Sequence, residues 1–202
     1  MNSGIVTAAL LACTLVACKD VPQQASADEL ASAGCLAGGD GRLEATLRGA
    51  MDADIAWDNA QMECDGDLRP DGSGLRITIA GPLPATPVGS GSASASRRLR
   101  FIFGVDLEDT AAGAAQALPT NLTVIIEGGE QLYATRGSDL CAVEGLERVA
   151  TGAETEWVSA RGYCLGPASD LSGEKRLLVP TFSFTALVRT GEATTELLQT
   201  AQ

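Results

Sequence analysis

Histidine is absent from all 202 residues, which removes the commonest general base at neutral pH and every imidazole metal ligand. No Ser-His-Asp or Cys-His arrangement can be assembled, so an enzyme on this chain would have to work through carboxylates, Lys or Tyr. Lysine occurs only at Lys19 and Lys175. No C-x₂-C pair is present either, and zinc favours closely paired cysteines or cysteine with histidine; no metal, cofactor or catalytic residue is expected. Positive charge is scarce, 14 Lys and Arg against 26 Asp and Glu for a net charge of −12. Such a surface repels nucleic acid and anionic headgroups, and its plain reading is an acidic, soluble exterior.

Long apolar runs are also missing, with one exception. Met1 to Ala17 contains no charged side chain, and from Ile5 it is almost wholly apolar until Lys19-Asp20. A spanning helix needs about 20 apolar residues, so this shorter run fits the h-region of a signal peptide. It ends Leu15-Val16-Ala17-Cys18, which resembles the lipobox of bacterial lipoproteins.

The resemblance covers the N-terminus alone. It implies cleavage between Ala17 and Cys18 and a diacylglyceryl thioether on Cys18, which would become the acylated first residue and join the chain to a membrane. One acyl chain anchors marginally, at about 0.8 kcal/mol per buried methylene, whereas two hold stably. The family pattern has Lys or Arg ahead of the apolar run, where this chain has only its terminal amine. Lys19 stands where Asp would resemble an inner-membrane retention signal, so the resemblance implies the outer membrane. The plainer alternative is an ordinary cleaved signal with a chance cysteine.

The implied organisation is a signal at 1–17, a polar tether at 18–34 and a single domain at 35–202, long enough for one sizeable core. Nine short segments rich in β-branched and aromatic residues read as strands: Leu43–Arg48, Asp54–Trp57, Leu75–Ala80, Leu99–Val105, Asn121–Glu127, Gln131–Thr135, Cys141–Val149, Glu156–Cys164 and Leu177–Val188. Large apolar groups alternate in Leu75-Arg76-Ile77-Thr78-Ile79 and Leu99-Arg100-Phe101-Ile102-Phe103, as a half-buried strand requires. Pro180 suggests an edge or bulge in the last segment, and Gly128-Gly129 marks a tight hairpin. Helix character is confined to Asp109–Leu118, limited by Gly113 and Pro119. The Gly81–Ser96 segment is low in complexity and reads as an exposed, mobile loop. The expectation is an all-β fold, an antiparallel β-sandwich of about nine short strands, with a closed β-barrel as the alternative.

Of the six cysteines, Cys13 leaves with the signal and Cys18 is the lipidation candidate. Cys35, Cys64, Cys141 and Cys164 remain, and in an oxidising compartment four cysteines read as two disulfides. Paired residues in a hairpin have numbers of constant sum. Cys141 with Cys164 centres a turn on Gly152-Ala153, inside the loop Thr151-Gly152-Ala153-Glu154. The same test on Cys35 with Cys64 sets Leu47 against Asp52, and a one-residue shift matching Leu43 with Ile55 is better. That pair therefore predicts a bulge or a non-hairpin pairing.

Several local patterns suggest chemistry and are weighed against plainer readings. Ser172-Gly173-Glu174-Lys175 matches the S-x-x-K of penicillin-binding proteins, and Arg189-Thr190-Gly191 resembles their K-T-G. The S-D-N element is missing, however, and the segment reads as a turn. Asp65-Gly66-Asp67 and Asp71-Gly72 resemble calcium loops, yet Arg69 occupies the third ligand position, and Asp with Gly is also the composition of a solvated turn. Trp57, Tyr133, Trp157 and Tyr163 could form a sugar or ligand platform; with aromatics at 4%, the core is the default place for all four. Asn121-Leu122-Thr123 fits a glycosylation acceptor by chance, inside a strand.

Three functions are consistent with these features. The first is a non-catalytic module, anchored in the outer membrane and binding another envelope protein or maintaining the envelope. The second is a periplasmic barrel carrying a small apolar ligand, which requires an unfilled interior. The third, an enzyme using carboxylates, requires two acids converging in one pocket.

Overall fold

A computed structural model describes residues 35–36, 38–69, 72–84, 97–107, 117–129 and 131–191. Among these, twelve strands run in chain order as β1 Arg42–Gly49, β2 Ala53–Asp58, β3 Glu63–Leu68, β4 Gly74–Pro82, β5 Arg98–Asp106 and β6 Leu118–Glu127, then β7 Gln131–Ala134, β8 Cys141–Ala150, β9 Thr155–Cys164, β10 Ala168–Ser169, β11 Arg176–Leu178 and β12 Phe182–Arg189. The expected signal, the tether and Cys18 lie outside the described residues, as do residues 85–96 of the expected loop and 109–116 of the expected helix. At their margins the structure departs from expectation: Gly81 and Pro82 complete β4, and Leu118 opens β6.

The fold is all-β. One layer is β7-β6-β5-β4-β3 and the other β8-β9-β12-β1-β2, and hydrogen bonding continues between them through β7-β10-β11-β1, β3-β12 and β6-β8. Among the described residues every pairing is antiparallel except β12 with β3, which meet at Arg189 and Asp67. Alternation drives the layering. Leu99, Phe101, Phe103 and Val105 of β5 and Phe182, Phe184, Ala186 and Val188 of β12 are all buried, and residues of one parity on a strand share a face. Phe103 meets Phe182 at 4.9 Å and Phe184 at 4.8 Å between ring centroids, while Trp57 packs edge-on to Phe101 at 5.8 Å. Rings from both layers therefore fill the space between them, which favours the sandwich over a hollow barrel.

The difference between nine expected strands and the twelve found has local causes. Pro180 has no N–H to give a ladder, and Leu177–Val188 divides around it into β11 and β12. β10 has two residues, below the length at which periodicity is visible. β3 was hidden by its composition: ECDGDL reads as a turn, yet it pairs with β4 from Glu63 opposite Ala80 to Leu68 opposite Leu75. Gly66 belongs there because an added Cβ would meet the Leu187 carbonyl oxygen at 2.7 Å and Val188 Cγ2 at 2.8 Å.

Cys35 joins Cys64 and Cys141 joins Cys164, with Cα separations of 4.8 and 3.9 Å. The second pair are direct partners on β8 and β9. A bulge between Val143 and Gly145 then moves the register by one residue, so the ladder ends with Ala150 opposite Glu156. The first pair is not a hairpin pair. β1 and β2 place Leu43 opposite Trp57 and Ala45 opposite Ile55, which corrects the expected match of Leu43 with Ile55. Cys35 precedes that hairpin and Cys64 follows the short 3₁₀ turn Asn59–Gln61. Asn59 fixes this approach, since its Oδ1 accepts from the N–H of Leu36 at 2.7 Å and of Gly41 at 3.2 Å, and its Nδ2 donates to the Leu36 carbonyl at 3.0 Å.

Candidate functional site

The aromatic quartet separates into two pairs. Trp57 and Tyr133 are core residues, and the Trp57 indole N–H donates to the Pro82 carbonyl at 3.0 Å. Trp157 and Tyr163 are only half-buried. Both stand on the outward phase of β9, whose alternate residues Glu156, Val158, Ala160, Gly162 and Cys164 are buried. That outward phase reads Trp157, Ser159, Arg161, Tyr163.

Cross-strand register supplies the neighbours. Ser159 lies opposite Glu147 on β8 and Thr185 on β12; Arg161 lies opposite Gly145 and Ser183. One strand further, Arg42 is opposite Thr185 and Glu44 is opposite Ser183. The Ser159 and Thr185 hydroxyls are 3.0 Å apart. Small residues at Gly145, Ser159 and Ser183 leave an open depression of about 480 Å³ between Arg42 and Arg161. A second depression, about 410 Å³, continues across Ser183 to Thr46, Asp54 and Thr181. At one end of β9, Gly38 lies over the Trp157 benzo ring, where an added Cβ would be 3.4 Å from its Cη2.

The β8 bulge sets which residues face this surface. With Glu144 as the extra residue, Gly145 and Glu147 take the outward phase, and Leu146, opposite Ala160, is half-buried against the core while still lining the depression. Without it, Leu146 would project fully onto the face and Glu147 into the sandwich. Bulges commonly re-aim side chains in this way.

The other motifs resolve into structure. Asp65 and Asp67 project from β3, and the Arg189 guanidinium donates to them at 2.5 and 3.1 Å. A cation there would compete with a guanidinium already in place, and Asp71 lies outside the described residues. The Asp65 hydrogen bond first, opposed by partial desolvation and aided by the charges of Asp65 and Asp67, raises the Arg189 pKa above its ordinary value. Among the described residues no three carboxylates or cysteines gather as a metal site.

Ser172 and Lys175 share no helical face. The Ser172 hydroxyl donates to the Asp170 carboxylate at 2.9 Å, and the Lys175 main-chain N–H donates to the same group at 3.2 Å. Partial desolvation pushes the Asp170 carboxyl up. The hydrogen bond from Ser172 and those from the N–H groups of Lys175, Gly173 and Glu174 outweigh it and hold the pKa below 3.8. Asp170 is thus the anchor of a turn, and the serine is a donor to it. Arg189 ends β12 in the clasp with β3, and Asn121-Leu122-Thr123 lies within β6.

Glu156 is the buried charged residue among those described; Arg148 on the neighbouring strand β8, two residues before Glu156's register partner Ala150, donates to it at 2.8 Å. Val149, Leu165 and Leu171 are exposed but belong to three different segments, and singly exposed apolar residues are ordinary. The face on β9 was missed because the aromatics were assigned to the core as a group. The signal was present in the phase, since Trp157, Ser159, Arg161 and Tyr163 occupy alternate positions opposite to the buried set. No protein-family model, curated protein or solved structure matches the chain.

Proposed function

We propose that this protein is a lipid-anchored, non-catalytic binding module of a bacterial cell envelope, held to the outer membrane through Cys18. The observation that favours a binding module over an apolar-ligand carrier is the filling of the sandwich: Phe101, Phe103, Phe182 and Phe184 occupy the interior that such a carrier would need empty. The recognisable acidic groups are occupied structurally, Asp65 and Asp67 by Arg189 and Asp170 by its turn. What remains available to a ligand is the outer surface. The anchor rests on the Leu15-Val16-Ala17-Cys18 motif, and the two disulfides are consistent with an oxidising compartment.

The test is intact mass and membrane fractionation of the expressed chain beside a Cys18→Ser variant. Lipid mass on the wild-type chain, with recovery in outer membrane that the variant loses, supports the reading. Two unlipidated, soluble chains overturn the anchor and leave a free secreted binding protein.

A further inference from the structure

We propose that the cleft between β7 and the Asp170–Lys175 turn binds a small organic carboxylate, a molecule with an apolar body and one terminal carboxylate group. The inference rests on the binding-module reading for its non-catalytic character, and it does not depend on the lipid anchor. Gln131 and Tyr133 of β7 line one side of the cleft, and Asp170, Leu171, Ser172 and Lys175 line the other, around an open volume of about 460 Å³. Tyr133 is the first indication. It is 2% exposed, on the inward phase of β7 opposite Val124, yet its hydroxyl has no hydrogen-bond partner among the described residues. The polar tip of a buried tyrosine ordinarily finds one. Here the side chain borders the cleft, from which a ligand oxygen can reach it.

The groups left uncommitted in the cleft are donors. Lys175 is the one lysine among the described residues, and its ammonium makes no ion pair with any of them. The Gln131 amide is likewise without a partner among them. Ammonium, phenol and amide can all donate, and an ionised carboxylate only accepts, so one acceptor-only group satisfies all three. Asp170 does not compete for the ammonium, because its oxygens already accept from the Ser172 hydroxyl and the Lys175 main-chain N–H. Charge around the turn points the same way. Arg136 reaches toward it, with Nη2 3.9 Å from where a Cβ on Gly173 would lie, and Arg176 follows Lys175, so three cations stand beside Asp170 and Glu174 in a chain of net charge −12. Leu171 selects the rest of the ligand. It is 83% exposed and lines the cleft with the Tyr133 ring, an apolar surface that a bare inorganic anion cannot use.

The experiment is a nuclear magnetic resonance titration of the isotopically labelled full chain carrying Cys18→Ser, so that the anchor plays no part. Isocaproate represents a free carboxylic acid and N-acetylalanylleucine the carboxylate end of a peptide; isocaproamide is the uncharged isostere of the first, and inorganic phosphate is the bare anion. Binding of one or both carboxylates, read as shifts of the Tyr133, Leu171 and Lys175 signals, is expected; which of the two binds tells the source of the group. Lys175→Ala should weaken it about tenfold. Tyr133→Phe should weaken it about threefold with an unchanged unfolding midpoint, because the deleted hydroxyl has no partner in the protein; a structural hydroxyl would move the midpoint. Lys175 is exposed and serves the turn through its main chain, so its variant keeps the test meaningful if the tyrosine variant fails to fold. Arg161→Ala, a cation that does not line the cleft, should bind like the parent. Silence with both carboxylates at about 10 mM, equal binding of isocaproamide or of phosphate, or full affinity in Lys175→Ala each overturns the proposal. Failure here leaves the anchor reading to be decided by the mass on Cys18.

Discussion

Arg189 at the end of β12 donates to Asp65 of β3 at 2.5 Å, beside the one parallel pairing among the described strands, where Arg189 itself stands opposite Asp67. One guanidinium thereby holds two carboxylates that would otherwise repel each other, at the seam where the two layers join. The side chains are about half exposed, 56% for Arg189 and 58% for Asp65, so solvent screening limits what the clasp contributes.

Replacing Arg189 by Ala should therefore lower stability by roughly 0.2–1 kcal/mol, plus a smaller loss from the unbalanced aspartates. Urea unfolding at low salt and at about 1 M salt is the measurement, and the difference from wild type should shrink at high salt. A difference that is unchanged by salt would mean that packing of the arginine stem, not charge, holds the seam.

A second prediction concerns Gly162, buried on the inner phase of β9 opposite Val143. An added Cβ would run into the Ala142 carbonyl oxygen and approach Phe182 Cζ to 2.6 Å, so Gly162→Ala overpacks the core beside the ring of a neighbouring strand. A cost of roughly 1–3 kcal/mol is expected, seen as a lower urea midpoint with an unchanged slope. A variant as stable as wild type would show that β9 and β12 can separate locally, against the close packing described.

The third concerns pH. Asp170 has a pKa below its ordinary 3.8 in the folded chain, so its contribution is present above that value and is lost as pH falls through the lower, folded pKa. Asp170→Asn should make the protein less stable at neutral pH, and the deficit should close on acidification to about pH 2. An Asn variant with the same deficit at both pH values would assign the effect to geometry of the turn rather than to its charge.

Much of the fold was legible from alternation. Leu75, Ile77 and Ile79, and Leu99, Phe101 and Phe103, announce half-buried strands because a strand's side chains alternate with a period of two, whatever lies across the sheet. The Cys141–Cys164 hairpin was legible for a related reason: the two cysteines are direct partners, and the turn residues between them suit a tight loop. β3 was not legible, because Glu63, Asp65 and Asp67 are acceptable on a strand only where Arg98 and Arg189 reach them from other strands, and such partners are remote in sequence. The candidate face was half legible. Its residues could be read from the phase of β9, but their neighbours on β8, β12 and β1 could not.

By itself, then, the sequence determined the class of the fold, the absence of imidazole chemistry, the acidic charge and the lipobox-like N-terminus, since each depends on composition or on residues close along the chain. Tertiary structure alone decided that Trp57 and Tyr133 enter the core while Trp157 and Tyr163 are left half-buried on the outward phase of β9. It also decided that a one-residue bulge turns Glu147 outward and sets Leu146 against the core. The physical reason is that register is a property of pairs of strands: a shift of one residue exchanges every inward side chain for an outward one, and only the assembled sheet chooses between the two.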